Sequence, residues 1–256
     1  EILYGRSGLV LGLLQLRDAQ LGSLTRPLLS EWLEAMIDSI FHHGKAMGTK
    51  SCRLMFEWHG KKYLGGAHGL TGILYVLLQC REYWEKDKKR RRYVVNTIDA
   101  LLTQLKDGQF PTRWKGEIRK RYVQWCHGPP GMALMLIEAY HVFGTSKYLE
   151  AALECGREIL ENGFLIKGDG LCHGLSGNGY VMLHLYKATQ DPQWFSAAVH
   201  FALFTINKEQ ISWLRTPDAP FSLFEGHCGL MHLLADLLDN GVGGFPVISP
   251  CVNVTL

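Results

Sequence analysis

Trp125-Cys126-His127-Gly128-Pro129-Pro130-Gly131 and Gly170-Leu171-Cys172-His173-Gly174-Leu175-Ser176-Gly177 are two copies of one pattern: a Cys-His pair, then G-x-x-G, then an apolar run. The glycine part recurs without the cysteine at Gly5/Gly8, Gly69/Gly72 and Gly226/Gly229. Five copies therefore mark the chain, at intervals of 64, 59, 46 and 52 residues. Each interval has room for two helices and their connections, and self-similarity at such a period marks a repeat architecture. The repeating unit is read as a helical hairpin.

The runs after the motifs, Leu70 to Leu78, Met132 to Ile137, Tyr180 to Tyr186 and Leu230 to Leu238, are apolar around the whole helix, which predicts burial on all sides. Between them, Arg92 to Leu105 and Tyr148 to Leu160 put charge on one face and aliphatic residues on the other, as solvent-facing helices do. Apolar helices wrapped by amphipathic ones predict an all-α fold, an α/α toroid of two concentric helix layers with the glycine loops gathered at one end. An open helical solenoid is the alternative that the repeat alone allows.

Composition narrows the function classes. The 256 residues are 47% hydrophobic, enough for a sizeable core, and no Pro- or polar-rich linker divides them, so residues 1–256 are read as one domain. A net charge of +3 is too mild for a nucleic-acid surface. One basic run, Lys86 to Arg92, falls where a loop between helices is expected. A solvated loop is its plainer reading, and contact with anionic lipid or an acidic partner its sharper one. Seven cysteines and no secretory leader point to reduced thiols and a cytoplasmic location. No apolar run approaches the roughly 20 residues needed to cross a bilayer, so any membrane contact would be peripheral.

If equivalent loops converge, the residues before each first glycine share a pocket: Tyr4, His68, Cys126-His127, Cys172-His173 and Glu225. A single such cysteine is ordinarily a small buried hydrophobe. A Cys-His pair repeated in the same structural phase points instead to zinc, which favours thiolate and imidazole. Spacing alone allows a closed site of Cys126, His127, Cys172 and His173, or three of these with one position open.

These loops, together with Tyr4-Gly5-Arg6-Ser7-Gly8, Gly66-Ala67-His68-Gly69 and the stretch from Arg215-Thr216-Pro217-Asp218 through Phe224-Glu225-Gly226, resemble the lanthionine synthetase C-like proteins of animals, in order and over nearly the whole chain. The resemblance implies a toroid of seven hairpins, of which about five are present here, the N-terminal ones being absent. The tail from Val247 to Cys251 departs from the family's usual ending. The resemblance further implies zinc held by Cys126, Cys172 and His173 with the fourth position open to a thiol, and His68 as the general acid. Lys167 and Arg215 would hold the carboxylates of glutathione, with Arg6 nearby, and His127 would stand beside the metal. A further glutathione-binding arginine is expected in the absent N-terminal part.

The reaction implied is zinc-dependent addition of glutathione to dehydroalanine or dehydrobutyrine in a peptide or protein. A non-catalytic scaffold that binds zinc and glutathione for a signalling or membrane partner would use the same ligands, and turnover separates the two. A toroidal glycosidase would need two carboxylates flanking the bond. Glu225 and Asp169 are the candidates, but the Cys-His pairs would then have no task.

Overall fold

The protein is described by a computed structural model over residues 1–19, 26–207, 213–241 and 243–249. Among these residues there are nine α-helices: α1 (Arg6–Asp18), α2 (Arg26–Met47), α3 (Leu70–Gln79), α4 (Lys88–Leu102), α5 (Pro129–Phe143), α6 (Ser146–Asn162), α7 (Leu175–Thr189), α8 (Pro192–Ile206) and α9 (His227–Leu238). Among the described residues, extended pairing is limited to isolated bridges such as Trp58 with Lys61 and Tyr63 with Arg113.

Five helices form the inner layer, each packed on the next: α1 on α3, α3 on α5, α5 on α7 and α7 on α9. Outside them, α2 lies on α1, α6 on α5 and α7, and α8 on α7 and α9. Helix α4 is fixed between its outer neighbours. Arg90 pairs with Asp38 of α2 at 2.6 Å, and Tyr148 of α6 donates to Asp99 at 2.9 Å. The fold is an α/α toroid, as the repeat predicts, with one inner helix for each G-x-x-G.

The second glycine of each motif explains why the pattern repeats. A methyl group on Gly8, Gly72, Gly131, Gly177 or Gly229 would overlap the carbonyl oxygen six residues earlier, of Ile2, Gly66, Trp125, Leu171 and Leu223 respectively. Each loop thus folds back onto the first turn of its own inner helix, and only a residue without Cβ fits. Gly128 adds a backbone demand, since its φ of 117° belongs to the region that favours glycine.

Burial follows layer and neighbour. Every residue of α3 from Leu70 to Leu78 is buried, and so is α7 from Leu175 to Leu183. The end helices differ. Among the described elements, α1 and α9 each pack on one inner neighbour, and their free flanks expose Leu9, Leu16, Met231 and Leu238. The expectation that Leu230 to Leu238 is buried on all sides therefore fails: in α9 only Gly229, Leu230 and Leu233 are buried.

The basic run also departs from its expected loop. Asp87 caps α4 by accepting from the Lys89 and Arg90 amides, and Lys88 to Arg92 form the first turns of that helix. Two of these cations lie over apolar rings, Arg90 over Phe41 and Arg91 over Phe143, so part of the run is packing.

The segment 243–249 crosses the interior of the ring. Phe245 is fully buried between the rings of Trp125 and Tyr180, and the Ile248 carbonyl accepts from Gln79 of α3 at 2.8 Å. Gln15 of α1 donates to the Val247 carbonyl, and Ser249 meets Tyr75 of α3 and His184 of α7. No helix among the described residues is long and apolar enough to cross a membrane.

Candidate metal centre and thiol cleft

A series of main-chain hydrogen bonds links the five glycine loops side by side. Ile2 donates to Ala67 at 3.0 Å, Gly66 to Trp125 at 3.2 Å, Cys126 to Cys172 at 3.1 Å and Cys172 to Phe224 at 2.7 Å. Residues far apart in sequence are brought together by backbone pairing, and the side chains before each first glycine are carried with it.

Two of these loops deliver Cys126, Cys172 and His173 to one point, their ligand atoms all within 4.8 Å of one another. It is the one metal-compatible group of three or more His, Cys, Asp or Glu side chains among the described residues. Four ligands arranged tetrahedrally about 2.3 Å from zinc stand roughly 3.8 Å apart, so a small closure would seat the ion. Two thiols and an imidazole are also the donor types that zinc prefers. The thiols share their protons unequally. Contact with Cys172, helped by His173, pulls the Cys126 thiol well below its ordinary value despite burial, while Cys172 is pushed up by the same contact. One sulfur is thus poised as thiolate, the form a metal binds.

His127 does not join the cluster. Its ring lies 5.9 Å from Tyr63, 6.2 Å from Tyr122 and 6.4 Å from His68. Its buried Nδ1 has no protein partner, and burial lowers its pKa. His68 stands beside it, at the end of a stack in which Tyr4 lies on Trp58 and Trp58 on His68, both at 6.0 Å between ring centres. The His68 Nδ1 meets the Glu1 carboxylate at 2.8 Å, which fixes the ring and leaves Nε2 available.

Lys167 donates to Gln124 Oε1 at 3.0 Å, and the same amide donates from Nε2 to Cys126 Sγ at 3.3 Å. Gln124 therefore connects the cation to the Cys126–Cys172–His173 cluster, a role that its position two residues before a cysteine does not announce. Lys167, His173, Arg215, Asp218 and Glu225 line an open cleft of about 160 Å³ beside the cluster. Arg215 reaches it through a main-chain bond from its own amide to Ile166, but its side chain is 71% exposed and pairs with Asp218 at 3.3 Å. Arg6, at the start of α1, does not line this cleft. Asp169 is buried and engages His227 Nδ1 at 2.6 Å, so it does not stand with Glu225 as a free carboxylate pair.

Comparisons with known proteins give the family and the fold. A profile of the lanthionine synthetase C-like protein family matches residues 1–248, and the chain belongs to that family. It is 38% identical over 255 residues to a zebrafish (Danio rerio) protein named glutathione S-transferase LANCL1, covering 96% of this chain and 61% of the relative. It is 32% identical to the LanC-like protein GCL1 of Arabidopsis thaliana, covering 96% of this chain and 57% of that one. The chain thus spans about three fifths of the length of these relatives. Nisin cyclase shares the fold, with a TM-score of 0.73 at 17% identity over 94% of this chain and 63% of its own.

Proposed function

We propose that the chain acts as one toroidal unit that adds the thiol of glutathione to dehydroalanine or dehydrobutyrine residues of a peptide or protein, using zinc at Cys126, Cys172 and His173. The observation that carries this reading is the cluster of two thiols and an imidazole, open on one side to a cleft lined by Lys167 and Arg215. The relative named glutathione S-transferase supports the choice of thiol.

Bound at these three residues, zinc would supply Lewis-acid stabilisation of an entering thiolate at neutral pH. The chain's own groups do the rest. Lys167 and Arg215 face the two carboxylates of glutathione, and Glu225 offers a counter-charge to its ammonium. Gln124 holds Lys167 and the Cys126 sulfur in fixed relation. As the sulfur bonds to the β-carbon of the dehydroamino acid, the electron pair of the C=C bond moves to the α-carbon. His68 delivers a proton there from Nε2, with Glu1 holding the opposite nitrogen. The proton lost by the thiol returns to the imidazole through solvent, so that S–H adds across C=C with no net loss.

The test is mass spectrometry of a dehydroalanine peptide mixed with glutathione and the zinc-loaded chain. An adduct of one glutathione, absent with Cys172→Ala, supports the reading. Full zinc occupancy without any adduct above the uncatalysed rate would leave a binding scaffold instead.

A further inference from the structure

A second, wider cleft lies outside the thiol site. It has a volume of about 660 Å³, within the range of sites that enclose compact ligands, and is lined by Lys61, Lys62, Arg113, Lys115, Arg119 and Lys120. Two carboxylates, Glu57 and Glu117, line it too, so six cations face two anions, and the cleft holds more net positive charge than the +3 of the whole chain. Glu117 is occupied by Arg119 at 3.0 Å, and Lys120 lies over the Tyr122 ring at 5.3 Å. Lys61, Lys62, Arg113 and Lys115 pair with no carboxylate among the described residues.

The walls are built rather than loose. The Leu64 amide donates to Thr112 at 3.0 Å and the Trp114 amide to Lys62 at 2.9 Å, which joins two extended segments and fixes the cations along both. One end reaches the site: Tyr122 lines the cleft and stands 6.2 Å from the His127 ring, and Tyr63, next to Lys62, stands 5.9 Å from it.

We propose that this cleft docks an acidic peptide segment and so presents the residue to be modified to the neighbouring centre. The presenting role rests on the reaction proposed above; the docking role stands on charge and shape. A concavity with cations on both walls surrounds a narrow anionic strand, whereas a bilayer surface is flat and cannot enter it. Cations held without partners cost little to engage and make association fast and salt-sensitive.

The probe is a labelled short peptide with glutamates on both sides of a central alanine, compared by fluorescence anisotropy with its glutamine counterpart. Expected are at least tenfold tighter binding of the glutamate peptide and a several-fold loss between about 50 and 200 mM salt. Lys62→Glu with Lys115→Glu should erase the preference, and the charge-matched Lys86→Glu with Lys88→Glu, around the start of α4, should keep it. Chelator-treated protein should bind equally, because no metal-cluster residue lines the cleft. Equal affinity for both peptides, or a preference that survives the Lys62/Lys115 change, would overturn the proposal. So would capture by phosphatidylserine vesicles that exceeds peptide binding and is lost in that same variant. If the acidic peptide docks but its dehydroalanine form gains no glutathione, the reaction fails and the cleft stands. If a neutral dehydroalanine peptide reacts as fast as the acidic one, the presenting role fails and the reaction stands.

Discussion

Cys172 meets its neighbours in three ways: its sulfur faces Cys126, its carbonyl accepts from the Cys126 amide and its own amide donates to Phe224. Truncation to alanine removes only the sulfur, so Cys172→Ala should fold and lose its zinc. Cys155→Ala, which removes a thiol buried in α6, should keep one zinc per chain by metal analysis. His68→Ala should keep zinc and slow the addition by roughly 10²- to 10⁴-fold, the usual contribution of a positioned proton donor, measured at saturating glutathione. Arg215 is a weaker contact. An enclosed two-bond grip on a carboxylate would contribute about 1.5–3 kcal/mol. A guanidinium that is 71% exposed and already paired with Asp218 should contribute far less. Arg215→Ala should therefore raise the glutathione dissociation constant about 2- to 5-fold in calorimetric titration, with Arg157→Ala on α6 as the unchanged control.

At the scale of the element, the G-x-x-G loops decide where each inner helix begins. Gly177→Ala forces a methyl against the Leu171 carbonyl and should destabilise the chain by about 1–3 kcal/mol in urea unfolding. Gly12→Ala is the contrast. Nothing lies within 4 Å of its added Cβ in α1, and the better helix former should stabilise by about 0.5–1 kcal/mol. These same loops were the legible part of the sequence, because a glycine demanded by a close approach and a cysteine in repeated phase both leave a mark at fixed spacing. The start of α4 was hidden for a physical reason: Lys88 to Arg92 place positive charge at the positive end of a helix dipole, contrary to the usual bias, and only the Asp87 cap marks the boundary. Gln124 and the Glu1–His68 pair were hidden because they act through contacts that no periodicity records. The spacing also could not separate His127 from Cys126, Cys172 and His173, a distinction made by the packing of its ring among Tyr63, Tyr122 and His68.

At the scale of the whole molecule, the segment 243–249 ties α1, α3 and α7 together, and His184 is one of its anchors. His184 Nε2 accepts from the Phe245 amide at 3.3 Å, and burial, with Lys187 and His141 nearby, lowers its pKa. Folded His184 therefore stays neutral at pH values where the unfolded side chain is charged. Stability is complete above the unfolded value of about 6.5 and falls as acid drives protons onto the unfolded chain. Wild type should lose about 1 kcal/mol more than His184→Gln between about pH 7 and 5.5, measured by parallel urea titrations.

In the proposed reaction three protein ligands hold zinc and leave the fourth position to a thiol. X-ray absorption at the zinc edge reads this directly. Two sulfurs, one imidazole and one light atom are expected for the loaded chain, with a third sulfur replacing the light atom when glutathione is added. A coordination sphere already filled by four protein ligands, and unchanged by glutathione, would contradict it.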